Sequence, residues 1–313
     1  MTYQKLVYPM KKISVLISLI ILSSSILSAQ NQKRNKGAGI PPEILNAYQA
    51  LNFEGMPYRF LLPDNYDSKK SYPLILNLHG RGGIGDDNET QMRNWTEVFV
   101  DKVWRKKYPC IVVAPQSWDS WSVFNEQIPK LTAEEIARFS PAWKQRFDSG
   151  RYPTTTVSTG SLSMAFLLMD KISQDYSVDT KRIYVMGHSM GGAGSWNAIW
   201  AAPERFAAAI PSAGGIPPWK DKARFKNVPI WTFHGDADPT VPFSFSSEIF
   251  DAMKEMAGNM KFTVLKDVKH GSSIYSFYYK GDDQEKGFIT RSSSDHCDPT
   301  PDVWDWLFRQ KLK

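Results

Sequence analysis

Residues 187–192 read GHSMGG, a serine among glycines directly after the apolar run RIYVM. A serine hydroxyl is a poor nucleophile at neutral pH. It needs a base within hydrogen-bond reach, and the base needs an orienting carboxylate. Gly and Ser are each about 7% of residues, so a G-x-S-x-G match arises by accident in roughly one chain in ten of this length. Context makes the difference. A nucleophile elbow requires strand, G-x-S-x-G and helix in that order. RIYVM, GHSMG and GAGSWNAIW supply that order, which makes Ser189 the candidate nucleophile.

The base must be one of five histidines. His79, His188 and His234 lie inside turn motifs, which leaves His270 and His296. The triad order for such an elbow is nucleophile, acid, histidine. His270 directly follows the last expected strand, so chain order favours it, with His296 as the alternative. HGDADPTVP offers two acids between serine and histidine. Asp238 heads D-P-T-V-P, where proline fixes the following backbone. Asp236 is suited to bonding the turn locally. A tetrahedral intermediate also needs two N–H donors aimed at its oxyanion. The Met190 backbone N–H, next after the serine, is one. The other belongs to the HGRGG loop, at Arg81 or alternatively Gly80.

Strands must deliver these loops. MPYRFLLP, YPLILNLHG, CIVVAPQ, RIYVMG, FAAAIPSAGG, VPIWTFHG and KFTVLKDV read as strands. Most are short, continuous apolar runs, as burial on both faces requires. Residues 160–175 carry apolar residues at helical spacing, and DVWDWLFRQKL reads as a closing amphipathic helix. The alternation implies an α/β fold with a mainly parallel central sheet and helices on both faces. Ligands bind such sheets at the carboxyl ends of the strands. HGRGGIGDDN, GHSMGG, HGDADPTVP and KHGSS all fall there.

Residues 117–159 are long for a connection and mark an insertion at that edge, a candidate lid or substrate platform. Within it, Thr132 and Glu135 form a capping-box pattern. Trp118 and Trp121 are placed to stack on a sugar or an aromatic acyl group, or else to pack the insertion. About two-thirds of the eleven tryptophans are expected in packing. Residues 275–299 read as a second, smaller insertion.

Lys5, Lys11 and Lys12 precede an apolar run over residues 13–22, and Ala29 offers a small residue for cleavage. The run is too short to span a bilayer comfortably, so a signal peptide over residues 1–29 is expected rather than a stable membrane anchor. Export would be to the periplasm or beyond the cell. A flexible segment is expected over 30–49, and a single catalytic domain over 50–313. Net charge is +6, falling to +3 without the first 29 residues, and no dense basic run suggests nucleic acid. Cys110 and Cys297 are either one disulfide or two free thiols, the latter slightly favoured.

The chain resembles the α/β-hydrolase superfamily. More narrowly, it resembles esterases grouped with polyhydroxybutyrate depolymerases, feruloyl esterases and prolyl-oligopeptidase-like predicted peptidases. The likeness runs over residues 50–118 and 160–272. It is carried by YPLILNLHGRGGIGDDN, YPCIVVAPQ, VDTKRIYVMGHSMGGAGSWNAIWAAPERFAAAIPSAGG and VPIWTFHGDADPTVP. It implies Ser189 as nucleophile, Asp238 as acid and His270 as base. The chain departs from the pattern twice. A long stretch separates His270 from the terminal tryptophans, and the 117–159 insertion exceeds the family minimum.

These readings converge on a serine esterase working through an acyl-enzyme, with no metal or organic cofactor. Its substrates would be small or polysaccharide-linked esters, such as acetyl or feruloyl esters. The alternatives are a serine peptidase, since the same triad cleaves amides, and a non-catalytic glycan- or partner-binding protein on a hydrolase scaffold.

Overall fold

In β3 (Tyr72–Leu78) all seven residues are buried. Leu74, Leu76 and Leu78 join one apolar cluster, while Ile75 joins a second. Side chains alternate across a strand, so a strand feeding two cores lies inside a sheet covered on both faces. The computed structural model shows that sheet and describes residues 39–93, 95–126, 129–149 and 160–313. Residues 40–313 form one unit.

The sheet has nine strands: β1 (Gln49–Phe53), β2 (Met56–Leu61), β3, β4 (Ile111–Pro115), β5 (Val178–His188), β6 (Ala208–Ser212), β7 (Ile230–Gly235), β8 (Met260–Leu265) and β9 (Phe288–Ser292). Their order is β1-β2-β4-β3-β5-β6-β7-β8-β9. Neighbours from β4 through β8 are parallel, and antiparallel pairs close both edges. On one face lie α5 (Ser161–Asp175), α6 (Met190–Ala201) and α7 (Ser244–Glu255), contributing Leu168, Met169, Trp196 and Ile249 to the first cluster. The other face takes α1 (Pro42–Ala47), α2 (Lys102–Lys107) and α8 (Val303–Arg309), through Ile44, Trp104, Trp304 and Leu307. Eight of the eleven tryptophans are buried.

Two expectations need revision. The segment 30–49 is not flexible throughout, because α1 and the start of β1 occupy its end. Ile44 and Tyr48 are buried there, and Arg59 Nη1 donates to Leu45 O at 3.1 Å. The stretch 275–299 is not a free insertion either, since its β9 completes the sheet against β8. Cys110 and Cys297 are both buried and both free.

Within the 117–159 insertion lie α3 (Ala133–Ala137) and α4 (Pro141–Asp148). Thr132 and Glu135 form the reciprocal capping box that starts α3. Glu126 pairs with the buried Lys220, anchoring the insertion to the segment after β6. The expected signal peptide lies outside the described residues. No helix among the described residues is long and apolar enough to cross a membrane.

Candidate active site

β5 ends at His188, and α6 begins at Met190, leaving Ser189 alone to make the turn. Its backbone has φ 60° and ψ −119°, a conformation that L-residues rarely adopt and that costs on the order of 1–3 kcal/mol. Surrounding close contacts hold it there. The Ser189 N–H donates to Ser212 O at 2.9 Å. A Cβ on Gly187 would lie 2.5 Å from Leu78 O, one on Gly191 would overlap the same carbonyl, and one on Gly192 would strike Ser212 O. The glycines therefore let the elbow press against the ends of β3 and β6.

Ser189 Oγ lies 2.8 Å from His270 Nε2, and His270 Nδ1 lies 2.8 Å from Asp238 Oδ2. The Asp238 side chain is fully buried. Its Oδ1 accepts the N–H groups of Thr240 and Val241 at 2.8 and 3.0 Å. Burial alone would raise this carboxyl. Bonds from His234, His270, Val241 and Thr240 outweigh it and hold the group well below the usual carboxylate range. Asp238 thus stays an anion facing Nδ1, leaving Nε2 as the proton acceptor towards the serine.

The two alternatives fall outside this chain of bonds. His296 is exposed, and its N–H donates to Ser294 Oγ at 3.3 Å. Asp236 is also exposed, and instead of bonding its own turn it accepts the N–H of Asp267, 31 residues along the chain, at 2.6 Å.

Met190 opens α6, and Arg81 opens a single 3-10 turn, Arg81–Gly83. First residues of helices have N–H groups without intrahelical acceptors. Gly80 abuts the serine, since a Cβ placed on it would lie 3.7 Å from Ser189 Cβ. The donor loop and the elbow are therefore neighbours. Gln116, buried at the end of β4, braces this loop. Its Nε2 donates to Gly83 O at 3.1 Å and to Asp87 Oδ1 at 2.8 Å, and its Oε1 accepts the Asn88 N–H at 2.6 Å.

Of the two tryptophans expected at the substrate face, Trp118 is 40% exposed. Trp121 is not available for stacking. It is buried, its indole N–H donates to His79 O at 3.0 Å, and it packs against Gly194 of α6.

Two histidines that looked like turn material from sequence, and one serine of an expected strand, also engage the site. His188 Nε2 donates to His270 O at 2.7 Å. His234 Nε2 lies 3.3 Å from Asp238 Oδ2, the same oxygen that faces His270. Ser212 Oγ meets Ser272 Oγ at 3.0 Å and Ser276 Oγ at 2.8 Å, tying the loop after His270 to β6. The histidines were visible in GHSMGG and HGDADPTVP, but their partners lie far along the chain.

A family model described as Phospholipase/Carboxylesterase matches residues 156–278. A probable feruloyl esterase C of Aspergillus niger is 24% identical over 235 residues, 73% of this chain and 71% of that protein. A bifunctional acetylxylan esterase/xylanase of Neocallimastix patriciarum is 25% identical over 244 residues, 74% of this chain and 30% of that protein. Among solved structures, a thermostable esterase superposes with a TM-score of 0.64 at 28% identity, covering 86% of this chain. This chain spans 64% of that structure's length. The chain has the α/β-hydrolase fold. Within that class it is an enzyme that hydrolyses carboxylic esters.

Proposed function

We propose that Ser189 is the nucleophile of an exported serine esterase acting through an acyl-enzyme. The observation that carries this reading is the single file of Ser189 Oγ, His270 and Asp238, with both links at 2.8 Å. His270 Nε2 takes the hydroxyl proton as Ser189 attacks the ester carbonyl. Met190 and Arg81 N–H groups hold the oxyanion. The protonated His270 then gives its proton to the departing alcohol, and water clears the acyl-enzyme by the reverse route. Asp238 orients the imidazole and stabilises its cation.

Substrates in this reading are acetyl or feruloyl esters carried on polysaccharides, with Trp118 offered to the sugar or the acyl ring. The feruloyl and acetylxylan esterase relatives support that class. The basic and apolar pattern of residues 1–29 supports export.

An alkyl phosphonate tests the nucleophile. The expected result is loss of activity with one adduct on the peptide carrying Ser189. An unlabelled serine in an enzyme that the phosphonate leaves fully active would overturn the assignment.

A further inference from the structure

We infer that Trp121 is a positioning residue for the oxyanion-donor loop: from the insertion, it clamps the peptide that carries the Gly80 N–H, while His79 clamps the one that carries the Arg81 N–H. This rests on the reading of Ser189 as nucleophile.

In a trans peptide the C=O and N–H point in opposite directions, and the described residues contain no cis peptide. Holding the carbonyl therefore sets the direction of the N–H. The Trp121 indole N–H donates to His79 O at 3.0 Å, and the N–H across that peptide is Gly80's. His79 Nδ1 lies 2.7 Å from Gly80 O, and the N–H across that peptide is Arg81's.

The proton on His79 can be placed. Its Nε2 accepts the Ser117 N–H at 2.9 Å, so Nε2 is bare and Nδ1 carries the hydrogen that Gly80 O requires. Burial lowers this imidazole to about 4, which keeps it neutral at working pH. Both candidate donors are thus fixed from the far end of their own peptides, by side chains that never touch substrate. A donor aimed in advance spends no reorganisation energy during the reaction.

Trp121 is itself held by the nucleophile's helix. Its ring lies 4.9 Å from the His79 ring. A Cβ on Gly194 would sit 2.7 Å from three of its atoms, so glycine gives it room against α6. Asn197 Nδ2 donates to Trp121 O at 3.0 Å. The first turn of the insertion is therefore wedged between α6 and the donor loop, and couples them.

Trp121→Phe removes the N–H and keeps an aromatic ring. Its kcat and KM on p-nitrophenyl acetate would be measured beside its affinity for phenylboronic acid, whose serine adduct is tetrahedral. The expected result is kcat down about tenfold, KM within about twofold, and boronate affinity down by the same factor as kcat. An unchanged kcat, or a lower kcat with unchanged boronate affinity, would overturn the inference. If Trp121→Phe does not fold, His79→Asn and His79→Leu decide, because the Asn amide can donate from the position of Nδ1 while Leu cannot. His79→Asn should be the faster by about tenfold. Equal rates would overturn the inference. An inactive wild type would instead contradict the esterase reading itself.

Discussion

The imidazole of His188 donates to the main-chain carbonyl of His270 at 2.7 Å. The residue before the proposed nucleophile thereby holds the backbone of the proposed base. Their rings lie 4.9 Å apart, and Trp95 closes edge-on over His188 at 5.8 Å. His188 and Ser189 are adjacent in the chain, so any shift of the elbow is passed to His270. Removing this bond should loosen the Ser189–His270 distance without touching either side chain. His188→Leu is expected to lower kcat by about tenfold with little change in KM, and His188→Gln, which retains a donor, to recover part of it. Equal kcat in Leu, Gln and wild type would show that the contact does not position His270.

The same residue makes a stability prediction. Burial, followed by the neighbouring His270, lowers His188 to about 3 from its ordinary 6.5. The folded protein therefore keeps it neutral while the unfolded chain takes up a proton below pH 6.5. Stability is full above that pH and falls as pH drops towards 3. Between pH 7 and pH 4 this group alone should cost about 3 kcal/mol. Urea unfolding at both pH values should show the His188→Gln variant losing less stability than wild type by about that amount. Parallel losses would contradict the assignment.

Two buried, unpaired thiols give a third expectation. Burial pushes the Cys110 thiol up, which keeps it protonated and unreactive. Cys110 and Cys297 should both resist Ellman's reagent in the native protein and both react in denaturant, and dithiothreitol should leave Tm unchanged. A Tm that falls in dithiothreitol would mean the two are bridged.

The central strands were legible because their runs are apolar throughout, as in YPLILNL and RIYVM. The edges were not. β1 is largely exposed, and β9 is buried only at Phe288, so neither presents an apolar run. Ser189, Asp238 and His270 could be picked out because each sits at a strand end in a fixed order. The supporting residues could not. His188 reaches 82 residues along the chain, and Trp121 reaches 42. Such partners are set by how strands pack, not by local spacing. Trp121 also shows why an aromatic near a site says little by itself. The same side chain suits a sugar-stacking surface or a buried clamp, and Gly194 opposite it selects the clamp.

The most direct test of the account is p-nitrophenyl acetate hydrolysis by the wild-type protein and by Ser189→Ala, at equal concentration and with folding checked by circular dichroism. The account predicts clear turnover by the wild type and a loss of at least about a thousandfold in the variant. A folded Ser189→Ala protein that keeps full esterase activity would contradict it.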